Sequence, residues 1–182
     1  MSDDVTSRLR LVVPPVSEPV ALNEAKLFLR IEHEAEDAVI VRAIANAREA
    51  CEHYLGIALL PQAWRYQCAS AGALRVVLPF GPVSAIDAVT VTRADAEVLP
   101  IGESAFRLSI DGFTLIFSHA LPAQVLAVEY VAAYADSAAA LPALLKQGIL
   151  HHVAALLEQR EGQAPMPLAS LQCYQPFRRV RL

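Results

Sequence analysis

Cysteine is scarce in this sequence and patterned glycine is missing. Cys51, Cys68 and Cys173 are the only three thiols in 182 residues, and no two stand in Cys-x-x-Cys spacing. A disulfide framework is therefore not expected, and a reducing compartment is. The seven glycines are too scattered for a phosphate-cradling loop or a dinucleotide fingerprint. His-Glu-x-x-His and Gly-x-Ser-x-Gly are both missing. No run of eighteen apolar residues is free of charge, so no membrane span is expected. Met1 to Arg10 holds no apolar stretch of the signal-peptide kind, which points to a cytosolic site of synthesis.

Charge is also thin, at 19% of residues against 55% apolar. Part of the apolar excess is alanine, and the remainder is consistent with surface hidden against other chains. The formal charge of −4 argues against general affinity for nucleic acid. Its distribution is uneven. Residues 163–182 carry Arg178, Arg179 and Arg181 without an acid, so the body holds −7 and the tail +3.

The clearest positive signal is a helical stripe from Glu36 to Leu55. Ile40, Ile44, Ala47, Cys51 and Tyr54 recur at four- and three-residue steps, which places them on one buried face. Arg42, Asn46, Glu49, Glu52 and His53 are expected on the watered side. Gly56 follows the last periodic residue, and Pro61 prevents a restart. A shorter helix precedes it, with Leu22, Ala25, Phe28 and Leu29 on one face and Ala21 as a poor cap. A third begins near Leu141, with Leu145, Ile149, Val153 and Leu156 in its stripe and Gly162 at its end.

Between the second and third helices the period changes to two. Trp64, Tyr66 and Cys68 alternate with Arg65 and Gln67, and Leu74–Leu78, Ile86–Arg93 and Val125–Val131 also suit strands. Asp111-Gly112 between apolar flanks predicts a tight hairpin. The expected class is α+β: a small bundle of three main helices with an inserted antiparallel β unit of about five to seven strands. Residues 1–61 would hold an extended arm and the first two helices, 62–136 the β insertion and 137–162 the third helix. Residues 163–182 would form an extended basic tail, because Pro165, Pro167 and Pro176 forbid a long helix.

Reactive constellations are not found. Cys51-Glu52-His53 diverge around a helix, and Cys51 lies on the apolar stripe, where a thiol is inert. His151 and His152 point about 100° apart and cannot easily share a metal. The acids from Glu32 to Asp37 read as a solvated helix start. No catalytic, cofactor or metal site is expected. One segment stands out: Tyr174 to Leu182 interleaves aromatics, arginines and apolar residues. Three readings fit it: a solvated terminus, a tail that orders on a partner, and a DNA contact.

Order and spacing of several runs resemble one family. Glu18-Pro19-Val20-Ala21-Leu22-Asn23-Glu24-Ala25-Lys26-Leu27-Phe28-Leu29-Arg30-Ile31 is similar to its opening helix. The second helix, then Leu55-Gly56-Ile57-Ala58-Leu59-Leu60-Pro61, Leu78-Pro79-Phe80-Gly81-Pro82-Val83, Pro142 to Gln147 and Glu158 to Glu161 follow in order. Together they resemble the head–tail connector (adaptor, head-completion) proteins of tailed bacteriophages, prophages and gene-transfer particles. Ala21, in place of a hydroxyl cap, and Ala133, in place of a glycine, depart from the pattern.

The resemblance implies a structural, non-enzymatic role at the virion neck, after assembly in the host cytoplasm. Its expected partners are copies of itself in a ring of about a dozen, the portal protein and the next neck component. DNA would be transient cargo, with no membrane involved. It further implies that Tyr174, Phe177, Arg178, Arg179 and Arg181 face the portal. Another neck or tail-completion protein, a small enzyme and a DNA-binding module are the competing classes.

Overall fold

Alternating half-buried leucines at the start of the chain determine its first element. Leu9 and Leu11 alternate with exposed Arg8 and Arg10, a period of two that suits a strand. A computed structural model describes residues 7–70, 72–121, 125–158 and 165–178, and divides the chain into two compact units. The first comprises residues 1–15 and 61–134, the second residues 16–60 and 135–182.

In the first unit, β1 (Arg8–Val13) pairs antiparallel with β2 (Gln62–Ala69). The arm expected to belong with the helices in residues 1–61 is thus a sheet strand. The remaining strands are β3 (Arg75–Val77), β4 (Val83–Thr92), β5 (Val98–Pro100), β6 (Phe106–Leu108), β7 (Thr114–Phe117) and β8 (Val125–Ala132). They form a five-stranded sheet in the order β1-β2-β8-β4-β5 and a three-stranded sheet β3-β7-β6. Every pairing is antiparallel. Trp64 and Tyr130 face each other in the register of β2 and β8 and are buried. Trp64 also stacks on Phe80, with ring centroids 4.6 Å apart and planes 9° off parallel.

The Asp111-Gly112 hairpin forms, but it is wider than a two-residue turn. Ser109 N–H donates to Thr114 O and Gly112 N–H to Ser109 O, so the chain reverses over residues 110–113. The Ser109 hydroxyl donates to Asp111, whose carboxylate also accepts from Phe113 N–H. These local side-chain bonds favour the longer loop over the shortest turn.

The second unit holds α1 (Leu22–Leu29), α2 (Asp37–Leu55), α3 (Ala143–Glu158) and α4 (Leu168–Tyr174). Ala21 makes no side-chain cap bond to α1. Gly56 ends α2 at φ 67°, and its N–H donates to Glu52 O. Helix α4 corrects the expected extended tail. Pro167 has φ −61° immediately before the helix, and Pro176 lies in the 3-10 turn that follows it. The prolines bracket a two-turn helix at positions where a missing N–H breaks no bond within it, and so do not prevent it. Ile40, Ala47, Cys51, Leu145, Ile149, Val153 and Tyr174 are fully buried and Ile44 nearly so. At roughly 1.5–3 kcal/mol for each large side chain, they are the main source of this unit's stability. Among the described residues, no helix is long and apolar enough to cross a membrane.

Candidate functional site

The tail residues were the first candidates, and the fold separates them. Helix α4 lies on α3 at Gly148, where the Ser170 hydroxyl donates to the Gly148 carbonyl at 2.8 Å. The same contact brings the Tyr174 ring over the glycine, where a Cβ would collide with it. Tyr174 is completely buried, with its hydroxyl next to the Cys51 thiol and its ring 6.3 Å from that of Tyr54. Burial drives the Tyr174 hydroxyl pKa well above that of a free phenol. Tyr174 is therefore a core residue and not a portal-facing anchor, because rotating it outward would empty the centre of this unit. Phe177 is half-buried and Arg178 is exposed. The Arg178 guanidinium sits 5.6 Å from the centroid of the Tyr54 ring, a cation–π contact. Arg179 and Arg181 lie outside the described residues.

Of the expected helical core, Ala25, Ile40, Ile44, Ala47, Cys51, Leu145, Ile149 and Val153 are buried. Leu22, Leu29, Tyr54 and Leu156 are only half-buried. Leu29 and Leu156 instead line an open groove. Surface apolar side chains are frequent on this unit, with Leu27, Val39, Val41 and Leu144 all exposed.

The watered face expected for α2 is partly wrong. Glu52 is 2% exposed and Arg48 is 5% exposed. Arg48 Nη1 donates to Glu52 Oε2 and its Nε to Glu18 Oε2, both at 2.8 Å. Glu52 Oε1 accepts from Leu59 N–H at 2.9 Å. The carboxylate thus clamps the buried run Ile57–Leu60 onto the end of the helix that precedes it. The Arg48 pKa is displaced upward: burial opposes its charge, and the attraction of Glu52 and Glu18 outweighs that.

The reactive-looking side chains named from the sequence are each held by burial or packing. Burial pushes the Cys51 thiol up to about 12, so little thiolate exists at neutral pH. His152 is buried and held below the usual histidine range by desolvation. His151, next to it, meets the edge of the Phe28 ring at 5.5 Å and the Gln147 amide at 3.1 Å. Among the described residues no cluster of His, Cys, Asp and Glu could hold a metal ion.

Residues 19–96, which include α1, α2 and β2 to β4, match the family model of the Phage gp6-like head-tail connector protein. Solved structures agree on the fold of nearly the whole chain. A chain in the "Virion of native gene transfer agent (GTA) particle" is 24% identical with a TM-score of 0.78, covering 96% of each chain. One in the "Neck of empty GTA particle computed with C6 symmetry" is 24% identical with a TM-score of 0.77, covering 96% of this chain and 97% of the other. A third, from the "Neck of native GTA particle computed with C12 symmetry", is 23% identical at 0.66, with the same coverage. No curated protein matches the chain by sequence. The α+β class expected from the residues is the fold of these particle chains.

Proposed function

We propose that this chain is a structural head–tail connector of a tailed phage, a prophage or a gene-transfer particle. It joins a ring of about a dozen copies at the virion neck, extends the DNA channel below the portal and presents a surface to the next neck component. It performs no turnover. The family match over residues 19–96 carries this reading, and the fold shared with chains of particle necks supports it. The exposed apolar residues of the helical unit suit a protein that works by burying surface against copies of itself. DNA passes as cargo, which a body of net negative charge would not retain.

Within this reading the portal-facing part of the tail begins at Phe177 and Arg178 and continues through Arg179 and Arg181, leaving Tyr174 in the core. Deleting the gene in its host should yield DNA-filled heads without tails, and supplying the chain in trans should restore tailed particles. Normal tailed particles after deletion would refute the role. Removing residues 179–182 alone should weaken portal capture without lowering the melting temperature of the protein. Undiminished capture would take the docking role away from the arginines.

A further inference from the structure

The β1 edge carries positive charge that the rest of its unit leaves largely unanswered. Arg10 lies directly opposite Arg65 in the β1–β2 register, and Arg8 opposite Gln67. Like charges so placed repel unless an anion lies near. Arg65 reaches Glu129 at 3.2 Å, with both side chains half-exposed. Among the described residues neither Arg8 nor Arg10 has an ion-pair partner. The register shifts between Leu11 and Val13, and this bulge brings Val13 opposite Ala63, onto the face that carries Arg10 and Arg65. Val12 and Val13 are each about half exposed, at 53% and 52%. The result is an apolar tip flanked by arginines on a strand that, among the described residues, is the edge of its sheet.

The helical unit offers the opposite. At the C-terminal ends of α1 and α3 and the start of α2, Leu29, Ile31, Val39 and Leu157 line an open groove of about 620 Å³. Its charged lining residues are two acids, Glu36 and Glu158, with no base among them. Exposed Glu32 and Glu34 precede Glu36 in the same loop.

We infer that the β1 edge of one copy docks into the α1–α2–α3 groove of the next copy, with Val12 and Val13 in the apolar channel and Arg8 and Arg10 against its acids. This deepens the proposed function by naming the two surfaces that would build the ring. Two different patches on one chain make a head-to-tail contact, the kind that closes into rings and does not stop at a dimer. A charged rim around an apolar centre fixes its register. A phosphate backbone is the other possible occupant of the arginine face. Apolar Val12 and Val13 beside the arginines, and an acid-lined apolar groove on the same chain, favour a second copy.

The test uses the full chain with Cys68→Ser, since Cys51 and Cys173 are buried. Val13→Cys and Val39→Cys variants are mixed under mild oxidation, with Leu144→Cys as a control on an exposed part of α3 away from the groove. The 13–39 pair should crosslink about tenfold faster or more than the 13–144 pair, because a formed contact raises the local thiol concentration. A chain carrying both new cysteines should give a ladder of oligomers. Arg8→Glu with Arg10→Glu should abolish the preference, and Glu36→Arg with Glu158→Arg in the partner should restore it. Equal rates for the two pairs overturn the inference. So does salt-sensitive retention of duplex DNA that is lost in the arginine variant while crosslinking stays unselective. If particles still lack tails without the gene but crosslinks fall elsewhere, the connector reading stands and only this interface fails.

Discussion

Gly148→Ala sets helix propensity against packing, and the structure says which prevails. In an exposed helix the change would stabilise by about 1 kcal/mol. Here the new Cβ would stand 2.9 Å from both Cδ1 and Cζ of Tyr174 and closer still to its Cε1. The ring cannot swing aside, because Tyr174 has no exposed surface and is enclosed by α2, α3 and α4. Overpacking of that kind costs about 1–3 kcal/mol and α4 must shift to accommodate it. After subtracting the propensity gain, the expected net loss is up to about 2 kcal/mol. For a chain of this length that lowers the melting temperature by up to about 8 °C. Thermal melts followed by circular dichroism would read it directly. A second background isolates the cause. With Tyr174→Leu already in place, Gly148→Ala should be neutral or stabilising, since the colliding ring is gone. A rise in melting temperature for Gly148→Ala alone, or equal effects in both backgrounds, would refute the reasoning.

Two further outcomes follow from buried polar groups. Burial holds the His152 pKa below its ordinary 6.5, so the unfolded chain binds more protons between the folded value and 6.5. Stability should therefore fall as the pH drops through about 6.5, and His152→Gln should flatten that slope in denaturant titrations between about pH 7 and 5; an unchanged slope would show that other groups set it. Glu52→Ala leaves Arg48 short of one buried partner and Leu59 N–H without its acceptor. The expected loss is about 3–5 kcal/mol by urea unfolding, with Glu52→Gln less damaging. A cost under about 1 kcal/mol would mean the pair behaves as a surface ion pair.

What the residues disclosed depended on whether a signal was local. The stripe Ile40, Ile44, Ala47, Cys51 and the Gly56 stop lie within one element, and α2 runs from Asp37 to Leu55 as periodicity predicts. Arg48 and Glu52, four residues apart, are easily read as a solvated pair. They are buried because Ile57–Leu60 folds back over that side of the helix. The available sign was that run itself: four consecutive apolar residues just past a helix stop must cover something, and their amides need an acceptor there. β5 was missed because it is three residues long and ends in Pro100, which an edge strand tolerates. In the tail, counting prolines gave the wrong result because their positions matter more than their number. Pro167 before a helix favours its start, and Ser170, Cys173 and Tyr174, three and four residues apart, then share its buried face.

Charge shows the same division between local and distant information. Counted along the chain, the body is acidic and the last residues are basic, which suggests a single adhesive end. Pairing β1 with β2 brings Arg10 beside Arg65, two residues far apart in sequence, and creates a second basic locus inside the acidic body. The two loci differ in what supports them. Arg178 follows a helix whose last residue, Tyr174, is locked into the core, so it starts from a fixed point. Arg8 and Arg10 lie in a hydrogen-bonded strand and keep their spacing, which suits a partner whose acids are equally fixed. The proposed function would use both kinds of contact: a rigid one repeated identically around a ring, and a reaching one toward a portal whose surface need not share the ring's spacing.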